Sequence, residues 1–329
     1  MLKDMMSSFD LQLPTNVADA LKILKKAGKD GWVMGGGNDS LTWFKDRVKQ
    51  PKTVVDLSGI SALKGIRVTA DGVEIGALTT LTEVVGNATI KSKFALLADA
   101  AGQVASPQIR NTGTIGGNVA QDTRCWYYRG GLPCYRAGGN TCFADTPSAM
   151  NREHTIFNAD RCVAVSNSDI APALVALDAK MVIQNSGGTA VVDAEKFFIG
   201  PAVDITRMTV LKSGDILTAI RIPNTWAGAT FYFEKVADRN VWDFPLVNVA
   251  AAMKVAGGTI QDMRIVVGAV EAVPKRLRVV EDLVKGQKKG VDVAKLAGKA
   301  ASRGAKPLNF NHFKIPLIEN LVTRAIRDA

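Results

Sequence analysis

The sequence predicts a chain that mixes helices and strands and divides into two or three domains. Three observations carry that expectation. The 329 residues, 47% of them apolar, suffice for more than one hydrophobic core. Residues 1–57 alternate short apolar runs with one amphipathic stretch, the pattern of a small βαβ-like lobe. Beyond residue 58 longer strand-like runs appear, and the chain ends in a lysine-rich stretch at helical spacing.

The elements follow in order. Val17, Ala20, Leu21 and Leu24 recur at i, i+3, i+4 and i+7, which predicts an amphipathic helix with Lys22, Lys25 and Lys26 on its polar side and Gly28 as its stop. Residues 31–34 read as a short buried strand, 41–48 as a helix and 53–57 as a second strand. A strand is expected at 73–77, helices at 81–85 and 94–104, and a loop over 106–118 that leads into a segment at 123–163. A helix at 170–177 and strands at 180–184 and 216–222 precede Pro223-Asn224, a plausible boundary. Strands at 230–236, 247–255 and 265–270 then lead to the basic helices. The expected domains are 1–57, 58–223 and 224–329; there is no internal repeat and no low-complexity tract.

Several function classes drop out early. No apolar run approaches the roughly 20 residues of a membrane-spanning helix, so no membrane insertion is expected. Residues 1–13 lack a basic start followed by an apolar core, so no export signal is read and a cytoplasmic location is expected. His154 and His312 are the only histidines, too few for a histidine-rich metal site and an argument against a histidine-based triad. Residues 275–329 hold 13 Lys+Arg against 5 Asp+Glu and so carry 8 of the net +10. That stretch offers only Phe310 and Phe313 as aromatic platforms, so nucleic acid is not expected as a partner. Its lysines read as solvated helix faces, or as a surface for an acidic protein partner.

The four cysteines, Cys125, Cys134, Cys142 and Cys162, fall in one 38-residue window. Their spacing, C-x8-C-x7-C-x19-C, lacks the close pairs of most zinc sites. Disulfides would need an oxidising compartment. Four thiolates on a long, Gly-rich segment suit a cubane iron–sulfur cluster, with zinc, disulfides and free thiols as the other readings.

Two glycine-bearing turns stand out, Gly35-Gly36-Gly37-Asn38-Asp39-Ser40 directly after a strand and Thr114-Ile115-Gly116-Gly117-Asn118. Glycine lets backbone N–H groups converge on an anion, and two such turns from different lobes would clamp the two phosphates of a dinucleotide. Neither is a Rossmann fingerprint or a P-loop. Singly, each is an ordinary tight turn as often as not.

Together with further segments, they resemble the FAD-binding medium subunit of molybdenum hydroxylases, the group that includes xanthine dehydrogenase and carbon monoxide dehydrogenase. The resemblance spans essentially the whole chain. It also rests on Ser168-Asp169-Ile170-Ala171-Pro172-Ala173-Leu174 and on Tyr232-Phe233-Glu234-Lys235 followed by Asp243-Phe244-Pro245-Leu246. Gln121-Asp122-Thr123-Arg124-Cys125 and the Cys134/Cys142 spacing resemble a subgroup with an inserted 4Fe-4S loop, found in 4-hydroxybenzoyl-CoA reductase and a bacterial aromatic aldehyde oxidoreductase. The interval from Cys142 to Cys162 is closer to the aldehyde-oxidising form.

This resemblance implies an α+β protein: a two-lobe FAD-binding fold like that of vanillyl-alcohol oxidase, then a C-terminal domain of antiparallel sheet and helices. It implies that Met34, Gly35, Gly36, Gly37, Asn38, Asp39, Ser40 and Leu41, with Thr114, Gly116, Gly117 and Asn118, hold the pyrophosphate. The side chains of Asn38, Ser40 and Thr114 would assist the backbone. Asp169 would touch the flavin, with helix capping as its competing role, and Lys235 would reach the isoalloxazine. Val104, Gln108, Ile109 and Leu217 would wall the adenine and flavin rings, with core packing as the alternative, and Asp122 would lie near the ring. Cys125, Cys134, Cys142 and Cys162 would ligate the cluster. Arg124, Arg129, Arg136 and Arg161 would raise its potential, with a solvated loop whose arginines face water as the alternative, and His154 would be a packing or hydrogen-bonding residue rather than a cluster ligand. The implied protein is an FAD and 4Fe-4S electron-transfer subunit without catalytic residues of its own. Its implied partners are a large molybdopterin-binding subunit, a small 2Fe-2S subunit and an external carrier (NAD, ferredoxin or a quinone). The rival readings are a stand-alone FAD oxidoreductase with substrate over the flavin, and a zinc-stabilised binding module.

Overall fold

The computed structural model describes residues 5–329. The first four residues of the 1–57 lobe, which also begin the 1–13 stretch read for an export signal, lie outside the described residues.

Three sheets organise the chain. The first is parallel and built from β1 (Asp10–Gln12), β2 (Gly31–Met34) and β3 (Thr53–Asp56) in the order β1-β3-β2. Helix Val17–Ala27 joins β1 to β2. It starts where Asn16 Oδ1 accepts the Asp19 N–H at 2.9 Å and stops at Gly28, whose φ of +56° a side chain would resist. Ala20 and Leu24 are buried against Val55 and Leu57, which is why the apolar stripe was periodic.

The second sheet is antiparallel and has five strands: β4 (Ile66–Thr69), β5 (Gly72–Gly76), β6 (Lys180–Asn185), β7 (Gly188–Asp193) and β8 (Ile216–Pro223), in the order β4-β5-β8-β6-β7. Helices Leu81–Gly86, Ala95–Gly102 and Ile170–Ala176 share its core; every residue of the last is buried. The two strands not expected from sequence, β4 and β7, are the sheet's edges and mostly exposed, so they carry little apolar alternation.

The third sheet is antiparallel: β9 (Thr230–Val236), β10 (Val247–Ala256), β11 (Thr259–Gly268) and β12 (Lys275–Arg276), in the order β12-β11-β10-β9. Successive residues of β10 point to opposite faces. Val247, Val249, Ala251 and Met253 pack with helices Arg278–Val284, Val291–Ala301 and Lys314–Arg327. Ala250 and Ala252 pack instead with the core of the second sheet. The C-terminal domain therefore backs onto the second lobe through a sheet covered on both faces.

The expected loop at 106–118 is instead two short helices, Pro107–Thr112 and Ile115–Ala120. Ser106 and Thr114 cap them, Pro107 sits in the first turn of the former where its missing N–H costs nothing, and neither helix is long enough to display a period. The cysteine segment is the least regular part of the chain. It contains the four-residue helix Trp126–Arg129 and a single 3-10 turn, Tyr135–Ala137. Its far end is stapled to the third sheet, where the N–H groups of Ile156 and Phe157 both donate to the Val270 carbonyl at 3.0 and 3.2 Å.

Candidate functional site

The two glycine turns meet where the first and second lobes touch. The first leaves β2 with Gly37 at φ +78°, and Gly36 lies so close to the second lobe that a Cβ would collide with the Thr112 carbonyl oxygen. Asn38 Nδ2 donates across the same junction to Thr112 Oγ1 at 3.1 Å and to the Ile109 carbonyl at 3.4 Å. Gly116 abuts β5's end, where a Cβ would stand 2.8 Å from Ala77. Gly117 is different: an added Cβ would meet only its own cap, Thr114 Oγ1, and otherwise faces open space. Thr114 Oγ1 accepts the Gly117 N–H at 3.0 Å and Ser40 Oγ accepts Trp32 Nε1–H at 2.9 Å, so both oxygens already have structural duties.

The turns border a cleft of two adjoining cavities, about 340 and 190 Å³, which share Trp32, Gly35, Asp39, Thr114 and Gly117 as walls. The smaller arm adds Gly36, Gly37, Asn38, Ser40, Val104, Ile109 and Asn118; the larger adds Gly116, Asp122 and Leu217. Met34 packs under the cleft with Trp43 and Phe44, and Leu41 and Gln108 face solvent, so none of these three lines either arm. Sequence reasoning missed Trp32, Arg124, Phe244 and the 206–215 stretch as cleft walls. Only Trp32, directly before the glycine run, carried any local signal.

Asp169 and Lys235 come together, though with each other and outside both arms. Lys235 Nζ donates to Asp169 Oδ2 at 2.7 Å and to the Gln103 carbonyl at 2.9 Å, and Asn248 Nδ2 donates to Asp169 Oδ1 at 3.1 Å. Burial pushes the Asp169 carboxyl up to about 6, against the downward pull of the Lys235 ammonium. The side chain of Asp169 makes no capping bond; its neighbour Ser168 accepts the Ala171 N–H at 3.1 Å and donates to Asn118 Oδ1 at 2.6 Å. The pair thus ties the Ile170–Ala176 helix to the third sheet.

All four cysteines line one small cavity. All four are free thiols, and among the described residues no group of three or more His, Cys, Asp or Glu is placed to hold a metal ion. Burial pushes the Cys125 thiol up to about 11 and raises that of Cys162.

A charged seam joins this segment to the cleft. Asp39, in the first glycine turn, accepts from Arg129 Nη2 at 2.7 Å, from Arg124 Nη2 at 3.1 Å and from the Asp122 N–H at 3.2 Å. Arg136 pairs with Asp122, and the Arg129 guanidinium lies 3.6 Å over the Trp43 ring. Arg124 stacks 4.5 Å from Phe244; burial holds its pKa down to about 10, so it stays charged at neutral pH. Arg124 Nε, Arg129 Nη1 and Arg136 Nε are buried without a partner. Arg161 does not join them: it is half exposed and pairs with Asp160 at 3.6 Å.

Two lobes closing glycine turns on a long cleft, backed by a third domain, define a flavoprotein of the dinucleotide-clamping kind. Comparison with known proteins narrows the class. Residues 7–225 match the family "FAD binding domain in molybdopterin dehydrogenase", and residues 232–329 match "CO dehydrogenase flavoprotein C-terminal domain". The chain is 30% identical to the aldehyde oxidoreductase FAD-binding subunit PaoB of Escherichia coli over 90% of each chain. It is 28% identical to the carbon monoxide dehydrogenase medium chain of Hydrogenophaga pseudoflava, over 98% of this chain and 96% of that one. A solved carbon monoxide dehydrogenase from the same organism superposes with a TM-score of 0.78 at 25% identity, covering 98% of this chain and 96% of the other. The chain belongs to the FAD-binding medium subunits of the carbon monoxide dehydrogenase and molybdenum hydroxylase family, which are oxidoreductase subunits. No helix among the described residues is long and apolar enough to cross a membrane.

Proposed function

We propose that this chain is the FAD and 4Fe-4S electron-transfer subunit of a heteromeric molybdenum-containing oxidoreductase. It would assemble with a large molybdopterin-binding subunit and a small 2Fe-2S subunit and exchange electrons with an external carrier. One observation carries the reading: four free thiols line a single cavity, and the seam from Arg124 and Arg129 to Asp39 fixes that cavity's loop to the flavin cleft. FAD supplies exchange of one or two electrons, and a cubane cluster supplies exchange of one.

The residues suit both groups. Gly36 lets the two lobes approach closely at Thr112, and Gly36, Gly37 and Gly117 line the cleft with bare backbone. Arg136, which lines the cysteine cavity, has Nε buried without a partner, a donor that an anionic group there would complete. The medium-chain and FAD-binding-subunit names of the relatives support assembly with other subunits.

The test is reduction of the anaerobically isolated protein. Flavin bands with a broad visible shoulder, and a low-temperature EPR signal that appears with dithionite, are expected. Flavin bands alone with no EPR signal would leave an FAD subunit and remove the cluster.

A further inference from the structure

His154 lies within the cysteine segment, 3% exposed, with Nε2 3.3 Å from Cys125 Sγ. Its backbone is clamped from the C-terminal domain: the His154 carbonyl accepts from Lys314 Nζ at 2.9 Å and from Asn311 Nδ2 at 3.0 Å. The His154 N–H donates to the Asn151 carbonyl at 3.1 Å. Lys314 is itself fully buried, and its second bond goes to the Ala269 carbonyl at 2.7 Å. With its main chain held at both polar groups, the imidazole has a fixed aim.

A metal-bound Cys125 thiolate can only accept, and that fixes the tautomer. Nδ1 is buried without a partner, so Cys125 Sγ is the ring's hydrogen-bonding neighbour. A proton on Nδ1 would be a buried donor with no acceptor and would turn the Nε2 lone pair onto the sulfur's lone pairs. A proton on Nε2 satisfies the donor and leaves only an acceptor unfilled, the less costly of the two defects.

Cys125 is also singled out from its own side. It stands at the N-cap of helix Trp126–Arg129, beside the unsatisfied N–H groups of that helix's first turn. Hydrogen bonds to cysteine sulfur withdraw negative charge from a metal–thiolate group and make addition of an electron easier.

We propose that His154 is a positioning residue that donates Nε2–H to the Cys125 sulfur and thereby raises the reduction potential of the group the four cysteines hold. The inference rests on the cluster reading above and adds to it a residue outside the ligand set.

The experiment is an EPR-monitored redox titration of the full FAD-loaded chain, wild type against His154→Gln, His154→Asn and His154→Leu, with iron measured in each. A glutamine amide reaches about where Nε2 stands, whereas asparagine stops near Nδ1 and leucine donates nothing. The expected result is a shift to lower potential for Leu and Asn of about tenfold in the oxidised-to-reduced ratio, about 59 mV for a one-electron couple. The Gln variant should stay close to wild type. Unchanged potentials in all three at full iron, or a Gln shift equal to that of Leu, would overturn the donor role. If Leu loses iron, the Gln and Asn pair still decides. A wild-type chain without iron would instead overturn the cluster reading, and this inference with it.

Discussion

The glycine-lined cleft and the cysteine segment lie side by side and are held by different forces. The cleft is a junction of regular elements. Its shape comes from backbone: a glycine against the Thr112 carbonyl, another against Ala77, and capped helix starts at Ser106 and Thr114. The cysteine segment has hardly any regular structure and is held largely by side chains, through the Asp39 seam on one side and Asn311 and Lys314 on the other, with backbone bonds at Ile156 and Phe157 fixing its far end. The cleft is complete as a shape without its ligand. The segment buries three guanidinium nitrogens and a histidine nitrogen without protein partners.

The largest expected effect falls on the cleft. Gly117→Val places a branched side chain beside the cleft, with its Cβ 2.9 Å from the capping Thr114 Oγ1, so FAD should be lost, and an unchanged thermal melt separates that loss from damage to the fold. The flavin-to-protein absorbance ratio should drop at least about tenfold, a loss of about 1.4 kcal/mol or more in binding. A Gly117→Val protein with full flavin would mean that the second turn does not border the cofactor.

Asp39→Asn sharpens the comparison, because Asp39 belongs to both regions. It strands two guanidinium groups whose side chains are 26% and 11% exposed, at a cost toward the lower end of the roughly 3–5 kcal/mol for breaking a buried pair. Limited proteolysis should become faster within residues 123–163, and flavin retention should fall as well. A fall in flavin retention with unchanged proteolysis would show that the seam does not hold the segment.

A smaller, asymmetric effect is expected at the buried pair behind the cleft. Asp169→Asn leaves the Lys235 ammonium buried with only the Gln103 carbonyl and an amide, whereas Lys235→Met leaves a carboxyl that can take up a proton. Denaturant titration should therefore find Asp169→Asn the less stable by about 1–2 kcal/mol at neutral pH. The folded-state pKa of Asp169, about 6, lies above its ordinary 3.8, so the native state holds this proton more tightly than the unfolded chain. Its contribution to stability is present at low pH and declines as pH rises from about 4 to 6. Without the lysine's opposing pull the decline should be steeper in Lys235→Met. Equal slopes would mean that the ammonium does not act on the carboxyl.

The sequence was legible where burial is periodic or sterics are strict. The Val17–Ala27 stripe, the strands buried at sheet centres and the first glycine turn follow from local residue choice, whereas the second glycine run is the start of a helix. Edge strands β4 and β7 were invisible because they bury little. The helices at 107–112 and 115–120 were hidden because neither completes two turns. Trp32, Arg124 and Phe244 come to the cleft from separate stretches, and the Asp169–Lys235 pair joins residues 66 apart, so no short window could show them. The cysteines were conspicuous by clustering in sequence, and the fold brings them to one cavity. The seam that joins them to the cleft exists only in three dimensions.

The central claim is that the irregular segment is completed by a metal–sulfur group while the cleft independently holds FAD. Iron, acid-labile sulfide and flavin per chain, measured on anaerobically isolated wild type and Cys134→Ala, test it most directly. The expected result is about four irons and four sulfides per FAD in the wild type. In Cys134→Ala most of the iron should be lost, with FAD retained. Wild-type protein carrying full FAD and no iron would contradict the account.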